Sequence, residues 1–259
     1  MAKDIQPAPS RGGVQPAPSR SGVHRTTGHR STGHRWVWLT LAKVLAWLAV
    51  LISLGYLFGG PLARLVQGED SLVASMQRAS TPFLDDLSNI ASRAADTPVI
   101  IGIAALAGLV LRVVLKRWLE PFLLWATVAL QTSMFLLVTL LVSRERPELE
   151  QMDPAPPTSS FPSGHTGAAT ALWLGLAMIL AGRIQNRGLR VLVVGLLLLT
   201  PAAVGVSRLY RGMHHPSDVV FGALNGVVAV LIVRSAVLGM GAGGHDHPDQ
   251  LEPKRFPAV

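Results

Sequence analysis

Apolar positions come in six long blocks, each of roughly twenty residues: 36–59, 98–115, 121–143, 163–182, 189–206 and 217–238. Each matches the length of helix that crosses a hydrocarbon layer about 30 Å thick. Residues 69–96 follow another pattern. There Leu72, Met76, Ala79, Phe83, Leu87, Ile90 and Ala94 recur at three- and four-residue steps, with Asp85, Asp86, Arg93 and Asp96 between them. That period predicts amphipathic helix. Thr81-Pro82 predicts a break and a new helix start, giving two short helices lying on the membrane surface; a seventh span is the alternative. The expected fold is all-α: a polytopic membrane bundle of about six transmembrane helices with short amphipathic helices on its outer surface.

Local signals sharpen several of these elements. Thr97 and Pro98 are expected as N-cap and first helical residue of the second span. Trp36 and Trp38 mark an interfacial entrance to the first. Pro201 is expected to kink the fifth. Gly222 and Gly226 form a small-xxx-small pair in the sixth, a signature of close helix packing.

Composition agrees with a membrane protein: 49% of residues are apolar and only 15% charged. With no cysteine, disulfides and thiolate metal sites are excluded and the redox compartment is unreadable. The net charge of +8 is concentrated at the start, where Lys3, Arg11, Arg20, Arg25, Arg30 and Arg35 stand against Asp4 alone. It is a property of a tail and does not point to nucleic acid. Residues 1–35 repeat QPAPSR and carry His24, His29 and His34 at five-residue spacing, a composition that reads as a disordered basic tail. Metal binding by that repeat is the weaker alternative to contact with anionic lipid.

Lys116-Arg117 and Arg183, Arg187 and Arg190 fall on the same side of the membrane as this tail, which should therefore be cytoplasmic. The arrangement expected is a tail over 1–35, a membrane domain over 36–238, and a second cytoplasmic tail over 239–259. Three polar stretches then converge on the outer face: SRERP ending at Pro147, FPSGHTG over 161–167, and SRLYRGMHHPSD over 207–218.

These three stretches carry the candidate chemistry. Arg146 and Arg208 end the third and fifth spans, so both guanidinium groups can reach one anion, and their forked donors suit phosphate oxygens. Ser163 and Gly164 open the fourth span, where free backbone N–H groups and the helix dipole attract phosphate. Asp218 lies four residues after His214 and could fix its tautomer. Glu148, Glu150 and Asp153, in the Pro-rich loop 147–162, are expected to be solvated. His215 reads as structural or as part of the rim, and Tyr210 and Arg211 as possible headgroup contacts.

Together, Arg146-Pro147, Pro162-Ser163-Gly164-His165 and Ser207-Arg208 with His214 and Asp218 form a three-part pattern. It resembles the type-2 phosphatidic acid phosphatase family, the membrane relatives of vanadium haloperoxidases, over roughly residues 36–238. The resemblance implies His214 as the nucleophile that takes the phosphoryl group, Asp218 as the partner of its other nitrogen, and His165 as general acid and then base. It implies a metal-free lipid phosphatase, with no cofactor, in the cell membrane. The candidate substrates are polyprenyl diphosphate, phosphatidic acid and phosphatidylglycerol phosphate. Rival readings are a vanadate-dependent oxidase, a lipid phosphotransferase and a non-catalytic lipid-binding or lipid-flipping relative. The chain departs from the family at one position: a lysine is expected seven residues before Arg146, and Thr139 stands there. Arg144 is the expected substitute for the missing charge, with Thr139 itself also a candidate contact and Arg211 the next choice.

Overall fold

The computed structural model describes residues 35–66 and 68–242. The N-terminal repeats, and the tail after Ala242, lie outside the described residues. Eight α-helices follow in order: α1 Arg35–Phe58, α2 Glu69–Arg78, α3 Pro82–Arg93, α4 Thr97–Leu115, α5 Leu119–Leu141, α6 Gly164–Ala181, α7 Arg187–Tyr210 and α8 Pro216–Ala242. A 3₁₀ turn at Ala63–Val66 joins α1 to α2. Among the described residues, α1, α4, α5, α6, α7 and α8 are long and apolar enough to cross a membrane. Leu140, Val114 and Leu199 are among the large apolar side chains exposed on the outside of the bundle. A surface of this kind is stable in lipid and not in water.

The two short helices form where Thr81-Pro82 predicts the break. Thr81 caps α3, its hydroxyl accepting from the Leu84 amide. The second span starts one residue earlier than expected: Asp96, not Thr97, is the N-cap of α4, and Pro98 takes the second helical position. Both arrangements spare the proline's missing N–H, because the first-turn amides have no partner in the helix. Pro201 lies inside the continuous helix α7, and α8 runs to Ala242, past the start expected for the tail at 239.

α6 is the hub, packed against α5, α7 and α8, while α1 lies outside against α8. Its approach to α8 is close enough to require glycine. A Cβ on Gly222 would lie 2.4 Å from the Ser163 carbonyl oxygen, and one on Gly226 would lie 2.7 Å from that of Gly167. The small pair in the sixth span thus brings the start of α8 against the start of α6. Phe58, Phe161 and Phe221 meet with ring centroids 5.7–6.0 Å apart. They pin the loop ahead of α6 over the core formed by Leu51, Val138 and Val142.

Candidate active site

Three chain segments arrive at one end of the bundle. The first is the stretch after α5, the second is the N-terminus of α6, and the third joins α7 to α8. The last of these turns at Gly212, whose φ of 68° is in the left-handed region. A side chain there would also strike the Glu150 carbonyl, so only glycine fits. A cavity of about 750 Å³ opens at this place and is lined by Arg146, Gly164, His165, Arg208 and His214 together. Its walls continue along Ile100, Ile101 and Ala104 of α4 and Trp125 and Val128 of α5.

His214 is almost fully buried. Its Nδ1 donates to the Ser160 carbonyl at 2.8 Å, leaving Nε2 as the nitrogen with a free lone pair. Burial pushes this imidazole down to about 4; Asp218 opposes the shift, and the charges of Arg208 and Arg146 add to it. His214 is thus neutral near pH 7, the state in which an imidazole can act as a nucleophile.

Asp218 departs from its expected part. Its carboxylate is 3.8 Å from His214 Nδ1, too far for a hydrogen bond. It accepts instead from the Ser160 hydroxyl at 2.5 Å, Arg144 Nη1 at 2.5 Å and the His215 amide at 2.9 Å. The physical reason is local. His215 precedes the first residue of α8, and Asp218 is the third, the position from which an acidic side chain reaches back to the cap amide. Asp218 therefore holds Ser160, and Ser160 holds His214. The same carboxylate also takes His215 Nδ1 at 3.1 Å, which gives His215 a structural place.

His165, on the first turn of α6, has its Nε2 3.2 Å from the carboxylate of Asp96. Ser163 caps α6 through its hydroxyl, which accepts from the Thr166 amide. What this terminus offers an anion is therefore the backbone of Gly164 and His165, not the serine side chain.

Of the arginines, two line the cavity. Arg146 donates from Nη1 to the Met213 carbonyl at 2.6 Å; burial lowers it from the usual guanidinium value, with Asp218 opposing. Arg208 is buried and donates from Nη1 to Ser92 at 2.6 Å and to Asp153 at 2.7 Å. Its Nε has no partner among the described residues. An orphaned buried donor of this kind costs free energy unless an acceptor arrives. It is a donor still available to an acceptor entering the cavity.

Arg144 does not take the place of the missing lysine. Past the end of α5 the chain is extended, and Arg144 turns away from the cavity to bond Asp218, Ser217 at 2.7 Å and Glu69 at 3.0 Å. The hydroxyl of Thr139 bonds the Leu136 carbonyl of its own helix at 3.0 Å and does not line the cavity. Arg211 and Tyr210 are likewise engaged elsewhere: Arg211 with Asp153 and Met152, Tyr210 with Asp85.

Asp153 is not a solvated loop residue. Burial alone would raise its carboxyl, but Arg211 and Arg208 hold it below the ordinary range. Asp96, Ser160 and Glu69 were equally missed. Of these, only Asp96 left a signal in the sequence, as a capping residue directly ahead of Thr97-Pro98.

Two solved structures resemble the fold. One is the transmembrane PAP2-type phosphatidylglycerolphosphate phosphatase from Bacillus subtilis, at 18% identity and a TM-score of 0.62, over 78% of this chain and 94% of that one. The other is Aquifex aeolicus LpxE, at 22% identity and a TM-score of 0.52, over 63% of this chain and 93% of that one. No curated protein matches the chain in sequence. The family model described as the PAP2 superfamily matches residues 95–239. That span is more than half of the chain and contains all three motif stretches, so the chain belongs to the PAP2 superfamily.

Proposed function

We propose that this protein is a lipid phosphatase that removes a terminal phosphate from an amphiphile through a phosphohistidine intermediate. The observation that carries the reading is the single cavity shared by the motif residues and an apolar wall. Its polar end presents Arg146, Arg208, His165 and His214, and its walls pass down α4 and α5 as far as Trp125. A phosphate at the top and a hydrocarbon chain below match that division.

In the proposed reaction, Nε2 of His214 attacks phosphorus and forms the P–N bond while the bond to the lipid oxygen breaks. His165 gives its proton to the departing oxygen. A water molecule, deprotonated by His165, then attacks phosphorus; the P–N bond breaks and phosphate leaves. Arg146, Arg208 and the first amides of α6 neutralise the equatorial oxygens, which is most of what phosphoryl transfer asks of a protein.

The site is placed on the extracytoplasmic face of the cell membrane, with both tails cytoplasmic. The basis is the excess of arginine and lysine at the other ends of the spans. The reading includes no metal. Phosphate release from phosphatidic acid, phosphatidylglycerol phosphate and a polyprenyl diphosphate tests it, with His214→Ala as control. Acid-labile phosphate should be trapped on wild-type protein and not on the variant. Turnover that a chelator abolishes and Mg²⁺ restores would overturn the metal-free mechanism.

A further inference from the structure

At the end of the bundle far from the candidate site, a second cavity of about 340 Å³ opens between α5, α6 and α8. Its mouth carries Arg117, Arg183 and Arg234, with Glu120 as its one carboxylate. Glu120 is buried in the first turn of α5 and accepts from Arg117 Nε at 2.8 Å and from Arg183 Nη2. Arg234 makes no ion pair or hydrogen bond among the described residues. Deeper than this ring the lining is apolar: Leu123 and Leu124 of α5, Ile179 of α6 and Val230 of α8. It reaches Thr127, eight residues along α5 from Leu119, or about 12 Å at 1.5 Å per residue. The first-turn amides of α5 also lie at the mouth, with no side-chain cap from Trp118.

We infer that this cavity binds an anionic phospholipid from the leaflet opposite the candidate site. Three arginines against one carboxylate leave two positive charges over, and Arg234 has no ion-pair partner among the described residues. A soluble anion would account for the arginines but not for the apolar shaft below them. A zwitterionic lipid would account for the shaft but leave the surplus charge unmatched. A single negative headgroup on a hydrocarbon chain satisfies both, and basic pockets between spans are suited to such headgroups. Arg117 and Arg183 hold Glu120 in their present state, so Arg234 is the arginine free to make first contact. The inference does not depend on the proposed phosphatase activity.

Native mass spectrometry of the full chain in detergent tests it, with phosphatidylglycerol and phosphatidylcholine of the same chains as probes. One phosphatidylglycerol should stay bound at a concentration where phosphatidylcholine does not. Arg234→Gln should weaken that adduct about fivefold, the worth of one basic residue at an anionic surface. Arg234→Lys, which keeps the charge, should retain it. Glu120→Gln frees two arginines and should tighten the adduct. Equal binding of the two lipids, or displacement by millimolar inorganic phosphate, would overturn the inference. So would an adduct lost in Arg146→Gln but kept in Arg234→Gln, because the lipid would then sit in the candidate site.

Discussion

The two ends of the bundle are both rich in arginine and use it in opposite ways. At the site end, Arg144, Arg208 and Arg211 are each tied to carboxylates from other parts of the chain, Glu69, Asp153 and Asp218. At the far end, Arg117 and Arg183 share Glu120, while Arg234 has no carboxylate partner among the described residues. Placing a charge for chemistry takes a fixed geometry, and carboxylates supply it at the cost of most of the free positive charge. Orientation and lipid contact need only the charge. Counting cations near a site therefore overstates what a phosphate can reach. Of the four arginines around the candidate site, only Arg146 and Arg208 line the cavity.

The largest effects should come from the histidines. His214→Ala should lower phosphate release by about a thousandfold or more, and His165→Ala by at least a hundredfold. Arg234→Gln at the other end should leave turnover unchanged. A His214→Ala protein that turns over at a tenth of the wild-type rate would remove the nucleophile from the mechanism.

Arg144 sharpens the contrast between holding a charge and offering one. Arg144→Ala leaves Asp218 and Glu69 without their buried partner, which typically costs about 3–5 kcal/mol of stability. Thermal unfolding should show a large drop, and lysine at position 139 should not reverse it. Adding Asp218→Asn should recover part of the loss. A stable Arg144→Ala protein with a selectively raised KM would return Arg144 to the phosphate.

The buried imidazole predicts a pH dependence of stability. His214 is held at about 4 against an ordinary 6.5. Between these values the unfolded chain binds a proton that the native chain refuses, so stability is complete above about pH 6.5 and is lost as pH falls towards 4. The loss is roughly 3 kcal/mol at 1.36 kcal/mol per pKa unit. His214→Gln should flatten the unfolding midpoint across that window; an unchanged slope would mean that His214 is not held neutral by burial. Asp153→Asn should loosen Arg208 and raise KM, and, because it leaves the buried Arg208 and Arg211 without their shared carboxylate, it should also lower the unfolding midpoint.

The spans were legible because their apolar blocks are long, and the motif positions because their spacing is fixed by helix ends. What stayed hidden was pairing across the chain. The i, i+4 spacing of His214 and Asp218 allows a bond between them, yet the start of α8 turns Asp218 onto the His215 amide instead. Ser160 lies two residues ahead of Pro162 and looks like ordinary loop, and it is the group that fixes His214. Asp153 joins residues 55 and 58 positions away, and no local period encodes that. The departure at Thr139 is visible in the sequence. Arg144, five residues on, is nevertheless drawn to Asp218, Ser217 and Glu69 and not to the cavity, because nearness in sequence does not fix which way a side chain turns once the helix has ended.

The smallest expected effect concerns that departure. Thr139 bonds its own helix, its side chain is outside the cavity lining, and the two arginines that do line the cavity are placed without it. A lysine at 139 would start two residues before the end of α5, from where its flexible stem leads to the aqueous edge more easily than into the cavity. Its charge would then be screened within about 10 Å at ordinary ionic strength. Thr139→Lys should accordingly change kcat/KM by less than about threefold and leave the unfolding midpoint in place. A rise of a hundredfold would mean that the lysine reaches the anion. The site as it stands would then be short of one cation, and the non-catalytic lipid-binding alternative would gain the support that the present geometry denies it.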